Sequence, residues 1–586
     1  MDRQAWIAVS LCVLGLIGWQ VYMTSHAPRV PAVPPPGAEL AAASPSPYQA
    51  TTPLPAPSAA ASGAPAPSPA AGAEPAAAFE EKTETLRNGD VELRLTNRGG
   101  GISEAHLLNH AAEKGQGTVV LNAADRLPIG AILEQPNDPA LREFTIARQG
   151  DGSVQFERAA PGGVTVRKRF ALSAEQQKKD NFLSEMQIEF RNDGVQPYVN
   201  PGYFIALGAT VPLHPRDFPT YTRLVWCVDG SAKSIDVNWF PAQKYPFVGV
   251  EKRAARDFYL EKVPPSEWAG MSNQFFATLL TPLNAKISEM WGRRFEVKGE
   301  DGSTLLGMEG ALGMPAFELQ PGQTASVNFQ LYTGPKLYAQ LAKLPHDEAA
   351  IMNFGIWKLV SQALLNFMNL LHSWVRSYGV AIVLLTACVK AVLWPLQNKA
   401  NKSMRHMSAL APKMQELKEK YKDDPTRMNQ EVMKLYKQHG VNPVGGCLPM
   451  VIQIPIFFGL FTMLGQAAEL RNASFLWVHD LSQPDTVGHL PGFGFPINVL
   501  PLIMGGTQFW LMQMTPKTGD STQQRVMMFM PLIFLFFCYN FAAALALYYT
   551  TQNLFTILQL WHNKRQPVPV LEKVTPPAKR TRKGRS

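Results

Sequence analysis

The chain has 586 residues, of which 46% are hydrophobic and 17% charged, and its formal net charge is +9. A chain of this length has room for more than one domain. The five cysteines are scattered along the sequence without histidine partners, which argues against a structural zinc site.

The first part of the sequence predicts a membrane anchor and a tether. Residues 1–25 contain an apolar run, 5–23, that is long enough to span a bilayer. The alternative is a cleaved signal peptide, but the run is longer than usual and is followed by a poor cleavage site. Residues 26–79 are mainly Pro, Ala and Ser, which cannot bury a core, so we predict a disordered linker.

Residues 80–340 predict an all-β domain. Runs with apolar side chains at every second position recur between turn residues, as in 91–97, 164–170, 185–190 and 326–333. Many short strands separated by turns are typical of an antiparallel sandwich. The Gly99–Gly101 run lacks the surroundings of a dinucleotide-binding motif, and we predict a turn there.

Residues 347–376 predict an amphipathic helix that lies in the membrane interface. Polar side chains recur there every three or four residues, which is the helical period. The alternative is a further spanning helix, which this polar stripe disfavours. The stripe consists of Lys358, Gln362, Asn366, Asn369, Ser373 and Arg376.

The remaining sequence predicts a core of five transmembrane helices within residues 377–562, making six with the anchor. Lys and Arg concentrate in cytoplasmic loops. Ten of them lie between Lys399 and Lys437 and eight between Lys564 and Arg585, whereas 467–495 carries only Arg471. We therefore predict that both termini are cytoplasmic and that residues 26–376 lie outside. The predicted spans are about 378–396, 447–466, 496–514, 525–541 and 543–561.

Residues 399–440 predict a charged helical hairpin on the cytoplasmic side, with a break at Pro425 and an end at Gly440. The hairpin is rich in methionine, whose flexible side chain suits surfaces that receive varied apolar partners. The alternative is ordinary packing between the two helices. These methionines are Met404, Met407, Met414, Met428 and Met433.

Lys390 is a charge within an otherwise apolar span, and such a charge usually faces protein or a watery cavity. It could instead extend to the cytoplasmic interface, since Pro395 and Asn398 follow closely. Polar side chains on the other spans favour a shared hydrated groove, although each alone could form a helix–helix hydrogen bond. With Lys390, the predicted groove residues are Thr386, Gln453, Thr507, Gln508, Asn540, Tyr548, Tyr549, Gln552 and Asn553.

The sequence contains no GxxxxGK[ST], GxSxG, HExxH or CxxC motif. We therefore predict no enzymatic activity, no metal and no cofactor. A sugar-binding or catalytic outer domain is one alternative, but residues 80–340 offer no clear pair of catalytic carboxylates or histidines. A small-solute transporter is another, and the lack of an internal repeat counts against it.

Several short motifs lie in the helical part of the sequence, namely Asn442–Pro449 with Ile452–Phe457, Leu476–Leu481, Thr515-Pro516 before Gln523-Gln524, and Phe529–Pro531. These motifs resemble those of the YidC family of membrane protein insertases. The resemblance covers 350–562 almost continuously, and the anchor, linker and outer domain follow the layout of Gram-negative members.

This resemblance implies a bacterial inner-membrane protein with a periplasmic β-supersandwich and a five-helix groove that is open to the cytoplasm and to lipid. The groove cation of most members is arginine, so Lys390 is a departure. The Phe541–Ala544 turn also departs from the family's Pro-Ser-Gly-like turn. Substrates would leave sideways between two helices, past Met450, Ile454, Phe457, Met527, Met530 and Phe534.

The function that we expect is therefore insertion and folding of inner-membrane proteins without nucleotide hydrolysis. The expected partners are nascent membrane proteins, the SecYEG translocon and the lipid bilayer. The basic tail, 563–586, predicts either contact with ribosomal RNA or attachment to anionic lipid.

Overall fold

A computed structural model describes residues 79–565, except 113–116, 124, 137–140, 173–181, 245–249, 300–301, 423, 442–447, 493 and 516–520. The predicted anchor, linker and basic tail therefore lie outside the described residues, apart from the first residues of the tail. The predicted fold class is confirmed, because a large β-rich domain precedes an α-helical region.

The β-rich domain is built from antiparallel sheets. The largest has nine strands in the order β13 (Ser231–Asp236), β12 (Arg223–Val228), β17 (Ala269–Ser272), β18 (Phe276–Pro282), β22 (Thr324–Pro335), β9 (Leu183–Asn192), β8 (Val164–Leu172), β7 (Val154–Ala160) and β6 (Thr145–Arg148). A five-stranded sheet has the order β16 (Phe258–Ser266), β19 (Ile287–Lys298), β20 (Thr304–Met314), β11 (Tyr203–Thr210) and β5 (Ile132–Leu133).

Smaller sheets complete this domain. A four-stranded sheet contains β1 (Thr83–Arg87), β2 (Val91–Thr96), β3 (Gly101–Ala111) and β4 (Thr118–Leu121). Two-stranded pairs are formed by β10 (Tyr198–Asn200) with β21 (Phe317–Leu319) and by β14 (Gln243–Lys244) with β15 (Glu251–Arg253).

The alternation of apolar residues explains the strands. In β8, Val164, Val166 and Phe170 are buried on one face while the side chains between them are more exposed, as expected of a sheet with one face in the core. All four runs that the sequence predicted as strands fall in β2, β8, β9 and β22, so these predictions are confirmed. Gly99 and Gly100 adopt positive φ between β2 and β3, which confirms the predicted turn.

Lys168 breaks the alternation of β8, because it occupies a core position and is 1% exposed. Its ammonium group donates hydrogen bonds to the carbonyl oxygens of Gly99 at 3.0 Å and Gly130 at 2.6 Å. Burial lowers the pKa of Lys168 well below its usual range. The hydrogen bonds of Lys168 thus connect the β2–β3 turn and the segment before β5 to the large sheet.

The helical region follows a short helix, α1 (Tyr338–Leu341). Its helices are α2 (Lys358–Val375), α3 (Tyr378–Ala409), α4 (Ala411–Lys420), α5 (Pro425–Gln438), α6 (Leu448–Leu464), α7 (Val499–Met514), α8 (Ser521–Cys538) and α9 (Ala543–Lys564). The strands β23 (Thr486–His489) and β24 (Pro496–Asn498) pair between α6 and α7. Within the described ranges, α3 is the one helix both long and apolar enough to cross a bilayer by length and composition, and shorter apolar stretches cover Ile452–Leu464 and Met528–Cys538.

Some predicted boundaries differ from the structure. The span predicted to end near 396 continues as one helix to Ala409, with Pro395 inside it, so Met404 belongs to α3 and not to a separate hairpin helix. The helix predicted over 347–376 begins only at Lys358, after two short 3-10 turns. The polar residues after Pro395 are compatible with a helix, and the sequence pattern alone did not show that the membrane span and its cytoplasmic extension are continuous.

The β-rich domain contacts the loops that end the membrane helices on one side. Buried Arg223 donates to Gln466 Oε1 at 2.7 Å, just after α6. Gln274 donates to the carbonyl oxygen of Gly465 at 2.9 Å. The ring of Phe218 contacts that of Phe541 in the turn between α8 and α9, at 6.1 Å between centroids. The α6–α7 and α8–α9 connections therefore lie on the same side as the β-rich domain.

The α8–α9 turn is held by this same loop. The backbone N–H groups of Ala543 and Ala544 donate to the carbonyl oxygens of Gln483 and Leu481, at 2.8 and 2.9 Å. These are N–H groups that a helix leaves unpaired at its start. Glu469 of the same loop is half-buried, and desolvation raises the pKa of its carboxyl group, which accepts a hydrogen bond from Asn369 of α2 at 3.4 Å.

We expect Lys168→Met to lower the free energy of unfolding by about 1–3 kcal/mol, because it leaves two buried carbonyl oxygens without donors. Thermal unfolding of the full chain in detergent, followed by intrinsic fluorescence, measures this. The matched control is Arg167→Met, which removes a neighbouring, partly exposed side chain paired with Glu157 and should change stability by less than about 1 kcal/mol. Equal stability of the two variants would contradict the role of Lys168.

Candidate functional site

Lys390 of α3 faces α9 and is 6% exposed. Its Nζ donates to Thr556 Oγ1 at 2.7 Å and to Gln397 Oε1 at 3.2 Å. Among the described side chains, no carboxylate forms an ion pair with it. The ammonium group is thus held by neutral oxygens within the bundle and does not extend to an aqueous end of the helix.

Thr556 is oriented to accept from Lys390. Its hydroxyl donates to the carbonyl oxygen of Gln552, one turn earlier in α9, at 2.7 Å. The hydroxyl hydrogen is therefore used within the helix, and the oxygen lone pairs point to Lys390. This arrangement stabilises a cation at position 390 without a second charge, which leaves a net positive charge in the site.

The polar contacts continue from Thr556 to α6. Gln453 Nε2 donates to Gln552 Oε1 at 3.1 Å and lies 3.5 Å from the hydroxyl of Tyr548. Gln453 was predicted from its position in an apolar span, and the structure brings it together with both partners. These contacts tie α6 to α9 next to the turn that holds Thr556.

Amides extend the polar contacts along α3 and α9 in the opposite direction from the β-rich domain. Asn398 Oδ1 accepts from Gln559 Nε2 at 2.8 Å and from Asn563 Nδ2 at 3.2 Å. Arg405 donates to the carbonyl oxygen of Asn563 at 3.0 Å. We call the whole set the polar seam, which consists of Gln453, Tyr548, Gln552, Thr556, Lys390, Gln397, Asn398, Gln559 and Asn563.

A separate pair joins α7 to α9. Asn553 Nδ2 donates to Thr507 Oγ1 at 3.2 Å, and Thr507 donates to the carbonyl oxygen of Met504 at 2.9 Å. Thr386 bonds one turn back in its own helix, to Ile382, at 2.7 Å. Gln508 is half-buried. Among the described side chains, none of these predicted residues forms a hydrogen bond with Lys390.

Two predicted groove residues lie elsewhere. Asn540 is exposed in the turn after α8, which ends at Cys538, and it lines a crevice beside Tyr221 of the β-rich domain. The apolar run that defined the predicted span continues to 541, whereas the helix ends at Cys538, so a role of Asn540 in the groove stays a prediction. Tyr549 packs among aromatic rings and not in the seam.

Those rings include two of the residues expected to line a lateral exit. The ring centroids of Phe457 in α6 and Phe534 in α8 are 6.0 Å apart, and Tyr549 lies 5.5 and 5.1 Å from them. Ile454 and Met530 are exposed. The side chains of Met450 and Met527 lie outside the described residues. The aromatic cluster of Phe457, Phe534 and Tyr549 therefore joins α6, α8 and α9.

The predicted methionines of the hairpin have different surroundings. Met414 is buried with Leu410, Tyr436 and Val441, and the Tyr436 hydroxyl donates to its sulfur at 2.7 Å. Met407 packs against the same cluster. Met404 and Met428 are partly exposed, and Met433 is 46% exposed. Packing between helices explains Met407 and Met414, whereas Met433 is available to a partner.

The sequence prediction missed Gln397, Thr556 and Gln559. Gln397 is seven residues after Lys390, two helical turns along the same face, and a helical projection through Pro395 would have found it. Thr556 and Gln559 follow Gln552 at intervals of four and three residues, which is the same signal on α9. Gln397 was overlooked because it follows the end of the predicted span at 396, whereas Thr556 and Gln559 lie within the predicted span 543–561 and were not selected among its polar residues.

Comparisons with known proteins match both parts of this structure. A family described as 60Kd inner membrane protein matches residues 370–569, and a family described as YidC periplasmic domain matches 84–367. The membrane protein insertase YidC of Syntrophus aciditrophicus is 37% identical over 58% of the chain and 60% of its own length. That of Pelobacter propionicus is 30% identical over 84% of the chain and 88% of its own length.

A solved structure of an active YidC insertase, with its first transmembrane domain resolved, is 18% identical and covers 84% of this chain and 94% of its own. Its TM-score is 0.35.

We expect Thr556→Val to destabilise the bundle by about 1 kcal/mol or more, because the ammonium group of Lys390 loses its shortest hydrogen bond. The matched control is Thr550→Val on the same helix, where the buried hydroxyl has no partner among the described residues and its loss should be neutral. Thermal unfolding of the full chain in nanodiscs compares the two, with Thr556→Ser as the rescue. Identical midpoints for both valine variants would contradict the assigned contact.

Proposed function

The chain belongs to the YidC family, and on that basis we propose that it is an insertase that moves membrane proteins into the bacterial inner membrane. Its relatives carry this name, and the two family matches together cover the β-rich domain and the helical region. The observation that carries the proposal is the polar seam, which sets one cation among neutral hydrogen-bonding groups inside an apolar bundle.

The topology that we propose follows from charge and from contacts. The β-rich domain matches a periplasmic domain, and it contacts the α6–α7 loop and the α8–α9 turn. Both connections would then lie on the periplasmic side. The basic segment 399–437 would lie on the cytoplasmic side, in agreement with the distribution of Lys and Arg. A topology of six spans with both termini in the cytoplasm agrees with these contacts and with this distribution of charge.

The seam offers a substrate a polar path along α3 and α9. A polar segment crossing hydrocarbon loses its hydrogen bonds to water, at a cost of several kcal/mol per unsatisfied group. Amide and hydroxyl groups that already lie within the bundle replace part of that hydration. The path begins near Asn563, at the end of α9 away from the β-rich domain, and it reaches Gln453 and Tyr548 on the other side of Lys390.

Lys390 would select for acidic or strongly dipolar segments. Its two partners, Thr556 and Gln397, are neutral, so a carboxylate can displace them and gain a charge-assisted hydrogen bond. The attraction is stronger than in water because the surroundings are apolar. Insertion is then completed when the apolar segment of the substrate moves into lipid, which stabilises it by about 25 cal/mol per Å² of buried apolar surface. No nucleotide is required for such a step.

Lysine and arginine differ in how their charged groups form hydrogen bonds at position 390. Its compact ammonium group fits between one hydroxyl and one amide oxygen, whereas a guanidinium group presents five donors in a fixed plane. Two neutral acceptors cannot satisfy all five donors. The side chains of Gln397 and Thr556 are thus suited to lysine, and an arginine at 390 would need further acceptors from Gln552 or from water.

Release of the substrate into lipid requires that helices separate. We propose that the aromatic cluster of Phe457, Phe534 and Tyr549 is the closed form of the lateral exit. The contacts among these three rings are apolar, so a lipophilic substrate segment can replace them one by one, while the hydrogen bonds of Gln453 still join α6 to α9. The exposed side chains of Ile454 and Met530 would lie at the lipid end of this exit.

Further partners are proposed on the basis of family membership and charge. SecYEG would cooperate in the insertion of larger substrates. The ribosome would meet the basic tail, 563–586, or the hairpin surface around Met433, which is exposed beside charged residues. Dense positive charge binds phosphate in a salt-dependent manner.

We predict that Lys390→Ala lowers insertion of substrates with acidic translocated segments about fivefold, the factor expected when an attraction of about 1 kcal/mol is lost. Lys390→Arg should retain most of the activity. The full chain in proteoliposomes, supplied with otherwise identical substrates carrying acidic or neutral segments, provides the measurement.

The control is Lys402→Ala, which removes an exposed lysine of the same helix and should leave both substrates unaffected. Equal insertion of the acidic and neutral substrates by Lys390→Ala, at the level of the unmodified chain, would refute the role of the charge.

A further inference from the structure

The loop between α6 and α7 exposes large apolar side chains on the side of the β-rich domain. Leu476 is 75% exposed, Val487 57%, Leu490 45% and Phe495 54%. We call these four residues the loop patch. Exposed apolar groups that cluster in one segment of a protein usually mark a surface of interaction. The polar seam and the lateral exit do not involve this loop.

The backbone is built to hold Leu476 outward. Leu476 has φ of 53°, a conformation that is costly for a bulky residue. It lies in a tight turn closed by two hydrogen bonds of 2.9 Å between Phe475 and Val478. The ring of Phe475 fills the space beside Gly379 at the start of α3. The turn is therefore fixed to a membrane helix while its apolar tip is exposed.

The next part of the loop is fixed to α7. Trp477 Nε1 donates to Asp485 Oδ2 at 3.1 Å, and the same oxygen accepts from the backbone N–H of Leu500 at 2.6 Å, in the first turn of α7. Asp485 is buried. This carboxylate both caps the helix and ties the Leu476 turn to β23, so the loop patch has a defined position.

The β23–β24 hairpin carries the rest of the patch and is almost without charge. From Thr486 to Asn498 the sequence has no Asp, Glu, Lys or Arg. Phe495 stacks on Tyr539 with ring centroids 5.1 Å apart, and the Tyr539 hydroxyl donates to the carbonyl oxygen of Pro496 at 2.7 Å. Tyr539 directly follows α8.

The hairpin thereby continues an apolar surface of the helical bundle. Phe536 and Phe537, in the last turn of α8, are 79% and 57% exposed. They precede Tyr539, on which Phe495 stacks. Apolar side chains thus run from the end of a membrane helix to the hairpin. A docking site for a soluble protein would have a charged rim around such a surface, and the sequence from Thr486 to Asn498 carries no Asp, Glu, Lys or Arg.

We propose that the loop patch inserts into the outer leaflet of the inner membrane and anchors the α6–α7 loop at the level of the lipid head groups. Aromatic and apolar side chains next to the ends of membrane helices favour this layer. The occupant is the lipid bilayer. The proposal is independent of the groove, because a chain that inserts no substrate would still place this loop in lipid.

The test uses a fluorophore at position 490. The full chain, with its native cysteines replaced and Leu490→Cys labelled with an environment-sensitive dye, is reconstituted into vesicles of phosphatidylethanolamine and phosphatidylglycerol. Nitroxide groups attached to lipid head groups should quench this dye at least threefold more than a dye at Val195→Cys. Val195 is an equally apolar residue, 87% exposed, in the turn between β9 and β10 of the β-rich domain.

Three outcomes would overturn the proposal. Equal quenching at positions 490 and 195 would mean that the loop is in water. A blue-shifted dye that is not quenched by lipid nitroxides would mean that protein covers the patch. A blue shift that grows with protein density in the vesicles would identify a second copy of the chain as the cover.

Discussion

A single ammonium group is buried between two membrane helices, and its need for hydrogen-bond acceptors constrains the structure around it. Lys390 has Thr556 and Gln397 as partners, both neutral. A paired carboxylate would satisfy the lysine more completely, but it would also cancel the charge. Neutral acceptors satisfy the hydrogen bonds of the ammonium group within the bundle and do not neutralise its charge. Two further hydrogen bonds orient these acceptors. The Thr556 hydroxyl donates to the carbonyl oxygen of Gln552, and the side chain of Gln552 accepts from Gln453.

The β-rich domain and the membrane helices form one connected structure through polar contacts at their junction. Arg223, Gln274 and Gln466 are buried there and donate hydrogen bonds to one another or to backbone carbonyls. The same loop caps the start of α9 through Gln483 and Leu481. Because α9 carries much of the polar seam, these loop contacts indirectly affect the position of Thr556 relative to Lys390. The same backbone contacts hold the turn at Phe541–Ala544.

Much of this organisation could be predicted from the sequence, for physical reasons that differ between its parts. The strands follow from a strict alternation of apolar residues, and Lys390 stood out because a charge in an apolar run is costly. The groove roles of Asn540 and Tyr549 stay predictions, because hydropathy does not show where a helix ends and a tyrosine can serve as an apolar ring or a polar group. The alternation in β8 places Lys168 on the buried face, but only the structure shows that the carbonyl oxygens of Gly99 and Gly130 hold it there. The contact of Thr556 with Lys390 required the pairing of α3 with α9, which one sequence does not supply, whereas Gln397 lies two turns after Lys390 on the same helix.

Photo-crosslinking tests the central claim most directly, namely that substrates pass along the polar seam. A photoreactive amino acid is placed at position 453, in the seam, or at position 509 as a control, because Phe509 is exposed on α7. Ribosome-bound chains of a short membrane protein are then added to the full insertase in membranes. The account predicts strong crosslinks from position 453 that weaken when Lys390 is replaced by alanine, and weak crosslinks from position 509 in both backgrounds. Crosslinks that are equal at the two positions, or that do not depend on Lys390 for an acidic substrate, would contradict it.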